Sequence, residues 1–347
     1  MQIRCVQRTN GRLDMTEKQV VKDQHFVPAF YLRRFTNGDG FLERLVLPDA
    51  KVLPTPRKPE KEANDLFFYG VKTGEEDDIS QDVEAFWKSI EDFIAPKLDG
   101  VVEKIVQNKQ LSPFDEEVIA LLAAMLYMRT PLFRQTMNHN MGKLEKQLYQ
   151  MRAGDPRYTD HLLRVAESSG MELTRERAEE VREFILGGEY DLVFTNALHL
   201  RFMITEFEGF RNMFYGAKWR FYIVKGEGQF VTSSAPCIEV FPEKWDFFYG
   251  PSFYQRGHFL PLGPNVLAEA ISPFGPGKRV KRMSVDDDQV FLYNIQQANW
   301  SHIPDQPRYS RCYATRKTEL QELIENRKRR PGSLLLKAVA RKVAQGL

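Results

Sequence analysis

His25, a few arginines and a pair of serines are the side chains of this sequence whose setting allows chemistry. Imidazole titrates near neutral pH, so His25 can serve as general base, general acid or ligand. It stands just before Val27-Pro28, a dipeptide that keeps the backbone extended. Arg33 follows in the same stretch and can grip an anion through two parallel N–H groups. Tyr31, between them, is a candidate binding residue. Arg129 interrupts an apolar run and precedes Thr130-Pro131. A buried Arg has to be paired. Its partner is either a substrate anion or a carboxylate such as Glu84. Ser233 and Ser234 follow Thr232 at an expected strand end, where polar groups often line a cleft. A nucleophilic Ser needs a neighbouring base, and no G-x-S-x-G elbow surrounds these two. Stabilisation of a turn by their hydroxyls is therefore the competing role.

Metal and nucleotide chemistry find little in the sequence. His139, His161, His199, His258 and His302 form no H-E-x-x-H motif and no close pair. The acidic runs Glu75-Glu76-Asp77-Asp78 and Asp286-Asp287-Asp288 fit a solvated loop and a helix start better than a cation site. No metal ligands are expected and no cofactor is identified. Neither a P-loop nor a G-x-G-x-x-G stretch is present.

The chain has 347 residues, 49 Lys+Arg against 47 Asp+Glu, and a formal charge of +2. That balance excludes a uniformly basic nucleic-acid coat. It is also an average of unlike parts. Residues 316–347 sum to +6 and the rest to −4. The basic run Arg327, Lys328, Arg329 and Arg330 is a candidate contact for nucleic acid or another anionic partner. As a helix end, the same cations would sit favourably against the dipole. Lys278-Arg279-Val280-Lys281-Arg282 is a second basic stretch of this kind. Apolar residues make up 42%, enough to fill a core. Three widely spaced cysteines, Cys5, Cys237 and Cys312, exclude a disulfide framework and fit a reducing cytoplasm. The first 22 residues hold no apolar run of signal-peptide length, so export by that route is not expected. No stretch of 18 apolar residues predicts a membrane span.

These side chains need elements to position them. Residues 1–22 are expected to be a mobile arm, 23–315 an α+β domain, and 316–347 basic helices, the last over 334–344. Within the domain, 41–47 predicts a strand and 66–69 a short apolar strand. A helical block spans about 77–215. Val83, Phe86, Trp87, Ile90, Ile94 and Leu98 recur at helical spacing, with Pro96 as an expected end or kink. Ser112-Pro113-x-Asp115 is a helix start, and Thr130-Pro131 breaks or kinks that helix. Helices are expected over 131–152, 175–186 and 191–214. Strands then return. Residues 219–224 and 229–232 flank Gly226-Glu227-Gly228 as a hairpin, with 237–241, 258–262 and 266–271 after them. Ser284 is expected to cap a helix towards Trp300, and 308–313 to close the sheet. This order, strands, helices, strands, is α+β. It predicts one antiparallel sheet assembled from both ends, with the helical block inserted.

The stretch His25-Phe26-Val27-Pro28-Ala29-Phe30-Tyr31-Leu32-Arg33-Arg34-Phe35 resembles the signature of a large, mainly bacterial family catalogued as domain of unknown function 4238. Phe67-Phe68-Tyr69, Arg129-Thr130-Pro131, Phe230 to Pro236 and Leu260-Pro261-Leu262 resemble its later motifs in order. Asn294 stands where the family has an Asn in a late helix. The family's T-S-D-N-P is Thr232-Ser233-Ser234-Ala235-Pro236 here, so a carboxylate is absent from this strand end. The resemblance implies the fold and its boundaries; no common activity comes with it. Two functions are compatible with the residues. One is a cytoplasmic hydrolase or nuclease-like enzyme with a polar cleft lined by His25, Arg33, Arg129 and Ser233. The other is a non-catalytic module binding nucleic acid or a protein partner.

Overall fold

The computed structural model describes residues 22–47, 49–72, 79–80, 82–240, 257–271, 279–303 and 306–329. The expected N-terminal arm (apart from residue 22), the helix over 334–344, Arg330 and the acidic run 75–78 lie outside them. The N-terminal part carries β1 (Asp23–His25), α1 (Ala29–Leu32), β2 (Glu43–Val46), β3 (Lys51–Val52), β4 (Asn64–Leu66), β5 (Val71–Lys72) and β6 (Ile79–Ser80). The helical block is α2 (Asp82–Val106), α3 (Pro113–Met128), α4 (Pro131–Ala153), α5 (Tyr158–Ser168), α6 (Arg175–Gly187) and α7 (Asn196–Gly216). The C-terminal part carries β7 (Lys218–Val224), β8 (Thr232–Ser233), β9 (Ile238–Val240), β10 (Gly257–Gly263), β11 (Val266–Ile271), β12 (Val280–Val285), α8 (Asp287–Trp300), β13 (Arg311–Ala314) and α9 (Lys317–Arg329). The fold is α+β, with the helical block in the middle of the chain.

The strands form two larger sheets where one was expected. A five-stranded sheet, ordered β12-β7-β11-β10-β9, comes entirely from the C-terminal part. Its β12–β7 pair is parallel, which departs from the expected antiparallel meander. A four-stranded sheet, β3-β2-β13-β8, joins the two ends of the chain. The expected Gly226–Gly228 hairpin does not form. β7 pairs with β11 and β12, and residues 229–233 leave for the other sheet. The glycine turn is held instead by the start of α8: the Gly228 amide donates to Asp287 Oδ1 at 2.7 Å. A side chain at Gly226 would collide with that carboxylate.

Side-chain alternation decides which face of the five-stranded sheet meets what. Trp219, Phe221, Leu260, Leu262, Ala268 and Ala270 pack with the helical block. Their neighbours Tyr222, Phe259 and Leu267 point the other way, against Val290 and Tyr293 of α8. α3 is apolar nearly all round, as a helix at the centre of a bundle must be, and packs against α2 and α7. Its start is a capping box: Ser112 accepts from the Asp115 amide and Asp115 accepts from the Ser112 amide.

Several expected boundaries move. α2 runs through Pro96 to Val106, because Ile94, Leu98, Val101 and Ile105 keep its buried face continuous. That packing outweighs an interior proline, which costs about 3 kcal/mol. The strand expected over 66–69 is replaced by β4 and a turn, since Phe67 takes a positive φ of 51°. Asp286, not Ser284, caps α8. α5 had no sequence expectation. Thr130-Pro131 is a break: Arg129 caps the end of α3, and Thr130 starts α4 by accepting from the Phe133 amide at 3.2 Å.

Candidate functional site

β1 pairs with β4, setting His25 opposite Asn64. The Phe26 amide donates to the Ala63 carbonyl at 2.9 Å. Pro28 is extended, with φ −60° and ψ 139°, and opens the single turn α1. The chain therefore leaves β1 and doubles back. This sets His25, Ala29, Phe30 and Arg33 on one side of a cavity of about 290 Å³. α2 supplies the other side with Glu84, Glu91, Asp92 and Ala95. Positions 84, 91, 92 and 95 share a helix face because 3.6 residues make a turn.

The electrostatics of the cavity come from burial around a fixed cation. Arg129 is wholly buried. Its Nε donates to the Tyr69 hydroxyl at 2.9 Å, its Nη2 to the His25 carbonyl at 2.5 Å, and its Nη1 to Glu91 Oε1 at 2.5 Å. The guanidinium also lies 5.3 Å from the Trp87 ring centre and 5.4 Å from that of Tyr69, where the ring faces favour a cation. The carboxylate partner is thus Glu91 rather than Glu84. Burial pushes the Tyr69 phenol up to about 12, against the opposing pull of the Arg129 charge.

Two groups lining the cavity are left with an unused polar atom. His25 Nε2 and Glu84 Oε2 are buried and make no hydrogen bond. Burial lowers the pKa of His25 below its usual 6.5, helped by the Arg129 charge. A hydrogen bond to the Glu60 backbone works against this shift by favouring the protonated ring. With Nε2 unpartnered, its lone pair is free in the neutral ring whenever the other ring nitrogen carries the proton. Burial raises Glu84 above 4.5, and the Glu91 charge adds to this while Arg129 opposes it.

The other candidates are placed elsewhere or used differently. Arg33 reaches the cavity but makes a surface ion pair with Glu60 at 2.8 Å. Tyr31 is buried; its hydroxyl donates to the Pro261 carbonyl at 2.7 Å and meets Thr232 Oγ1 at 2.9 Å. Ser233 does not line the cavity. Its Oγ accepts from Gln297 Nε2 at 2.6 Å and from the Ala235 amide at 3.0 Å, and meets Ser301 Oγ. Among the described residues no histidine or carboxylate is hydrogen-bonded to it, so none of them serves as an activating base. Ser234 accepts from the Arg311 amide at 3.2 Å and donates to the Tyr309 carbonyl. Asn294 accepts from the Val231 amide at 2.9 Å and donates to the Gln229 carbonyl at 2.8 Å. Ser233, Ser234 and Asn294 therefore fasten residues 229–235 between β13 and α8, and the structure does not bring them to the His25 cavity.

The basic stretches divide similarly. Arg279 pairs with Glu116 at 2.6 Å and donates to the Tyr215 carbonyl at 2.9 Å. Arg282 donates to the Ile105 carbonyl at 3.2 Å and to that of Lys109, holding the end of α2. Both are taken up by the protein itself. Arg327, Lys328 and Arg329 belong to the last turn of α9. Among the described residues no group of three or more His, Cys, Asp or Glu could hold a metal ion. Among them, too, no helix is long and apolar enough to cross a membrane. Cys237 and Cys312 are buried and free.

Glu91 and Asp92 were missed as cavity residues, and Glu84 was weighed only as an ion-pair partner. Their signal is a row of carboxylates at helical spacing beside the Trp87 core position. Such a row reads equally as a solvated face until the opposite wall is known.

The family model described as protein of unknown function (DUF4238) matches residues 23–306. This chain belongs to that family. No curated protein and no solved structure matches it. The DUF4238 match ends inside the C-terminal part and spans β1, the helical block and both walls of the cavity. In this DUF4238 chain Phe26, Val27, Pro28, Tyr31, Leu32 and Phe35 are buried, so about half of the opening motif is core.

Proposed function

We propose that this DUF4238 chain is a hydrolase working by general acid–base catalysis in the His25–Glu84 cavity. One observation carries the reading: two buried, unpartnered polar atoms, one on a base and one on an acid, belong to residues lining a single cavity. Their pKa shifts move in complementary directions. A lowered His25 is a neutral base near neutral pH, and a raised Glu84 keeps its proton into a higher pH range.

In the step this supports, His25 Nε2 takes a proton from water as the oxygen attacks the substrate. The bond to the leaving group breaks, and the leaving atom receives the Glu84 proton. Release of the His25 proton to solvent and uptake of one by Glu84 restore the starting state. Arg129 has every arm of its guanidinium engaged, so it acts as a fixed charge rather than as a clamp. Arg33, exposed and able to exchange Glu60 for a substrate anion, suits the rim. A volume of about 290 Å³ is at the small end for ligand sites. It suits a small polar substrate or the end of a larger one.

The test is a screen of the purified chain against phosphomonoester, phosphodiester, carboxylic ester and glycoside substrates, beside His25→Asn and Glu84→Gln. At least one class should be turned over. Each variant should lose on the order of 10²-fold or more with an unchanged circular dichroism spectrum. Equal rates in the variants, or no turnover of any class, would sink the proposal.

A further inference from the structure

A second charged cluster lies outside the His25 cavity. Glu62 is wholly buried and faces three arginines. Arg44 Nη1 meets Glu62 Oε1 at 2.8 Å and Arg311 Nη1 meets Oε2 at 2.8 Å. Arg57 Nη1 reaches only to 3.4 Å, on the oxygen Arg44 already holds. The sheet register explains the meeting. Arg44 lies opposite Tyr313 in the β2–β13 pair, and Arg311 is two residues before Tyr313 on the same face. Arg57 arrives through its bridge to Leu42.

Among the described residues, one carboxylate against three guanidiniums leaves the cluster at +2. Arg44 and Arg311 already occupy one Glu62 oxygen each at 2.8 Å, so the Arg57 charge is left largely uncompensated by that carboxylate. The surplus is also directed outward. Arg44 is buried and further tied to the Thr55 carbonyl at 2.6 Å. The Arg57 and Arg311 side chains remain 54% and 30% exposed. Two buried polar groups at the cluster have unused capacity. The Tyr313 hydroxyl lies beside Glu62 and Arg311 without a well-formed hydrogen bond, and Arg44 Nε makes none. Glu62 thus works as a buried anchor that orients several guanidiniums. Such an arrangement suits an oxyanion, because guanidinium N–H groups pair with two oxygens at once.

We infer that Arg57 and Arg311, oriented by Glu62, form a binding site for a phosphate group. The site does not depend on catalysis in the His25 cavity, so Glu84→Gln should leave its occupancy unchanged. The phosphate can belong to a free ion or to a nucleic-acid backbone.

Titration calorimetry on the full chain, with inorganic phosphate and separately with a single-stranded RNA 12-mer, tests this. Arg57→Ala should weaken binding of at least one probe by about fivefold or more. If the RNA is the probe bound, its salt slope should fall by about one. Arg57 is more than half exposed, so the variant should fold. Lys281→Ala, which removes an exposed cation on β12, should change affinity less than twofold. Binding of phosphate without RNA assigns a small ligand. RNA binding at least a hundredfold tighter than phosphate assigns a polyanionic chain. No binding of either probe, an unchanged affinity in Arg57→Ala, or an equal loss in Lys281→Ala would overturn the inference.

Discussion

Arg129 Nη1 donates to Glu91 Oε1 at 2.5 Å, although the arginine side chain is fully buried and the carboxylate is 26% exposed. Glu91 therefore lines the His25 cavity while the cation it pairs with is withdrawn from solvent. Removing one partner of a buried pair leaves a lone charge, at about 3–5 kcal/mol. Glu91→Gln should sit near the lower end of that range, because the site is partly wetted. Urea denaturation measures it. A loss below about 1 kcal/mol would mean that Tyr69 and the His25 carbonyl hold Arg129 by themselves.

The pH profile of turnover should be bell-shaped, falling on the acid side as His25 takes a proton and on the alkaline side as Glu84 loses one. His25 must be neutral, and its pKa lies below 6.5, so it forms the acid limb. Glu84 must be protonated, and its pKa lies above 4.5, so it forms the alkaline limb. A profile of kcat/KM still rising above pH 8 would contradict these assignments.

His199 makes a stability prediction separate from the cavity. It is buried on α7 with both ring nitrogens unpartnered. Burial pushes its pKa down to about 3, with the Arg134 charge adding to the effect. A folded-state pKa below the unfolded one means that the unfolded chain binds the extra proton. The stability from neutral His199 is then complete above pH 6.5 and lost between 6.5 and 3 as pH falls. The loss is at most about 1.4 kcal/mol per pH unit. His199→Phe should flatten the pH dependence of unfolding in that window. An unchanged slope would place the titration on other groups.

Gln297 holds the strand end that carries Ser233. Its Nε2 donates to Ser233 Oγ at 2.6 Å and to the Ala235 carbonyl at 2.8 Å, both buried. Gln297→Leu leaves that carbonyl unsatisfied and should cost about 1–3 kcal/mol in urea denaturation. Turnover per folded molecule should stay within about twofold. A large fall in kcat without loss of stability would return Ser233 to the catalytic machinery.

Local rules were legible where one stretch of chain decides the outcome. The Ser112 cap, the break at Thr130-Pro131 and the buried face of α2 come from caps, a missing amide and helical spacing. Pro96 and the glycine turn at 226–228 misled because their local preferences were outweighed. Continuous burial along α2 carries the helix through Pro96, and Asp287 and Asn294 hold the turn and the segment after it.

The sequence by itself determined the α+β order of elements and the motifs of the DUF4238 family, and it named His25, Arg33 and Arg129 as polar residues set among apolar ones. Periodicity and composition act within a dozen residues, which is why they carry that information. Only the tertiary structure decided that Glu84 and Glu91 face His25 across one cavity, and that Ser233 belongs to a separate hydrogen-bonded clamp. It also gathered Arg44, Arg57 and Arg311 around Glu62, from positions as far apart as 44 and 311. Contacts at such separation depend on which faces of strands and helices are buried together. The +2 of the whole chain says nothing of where those charges meet.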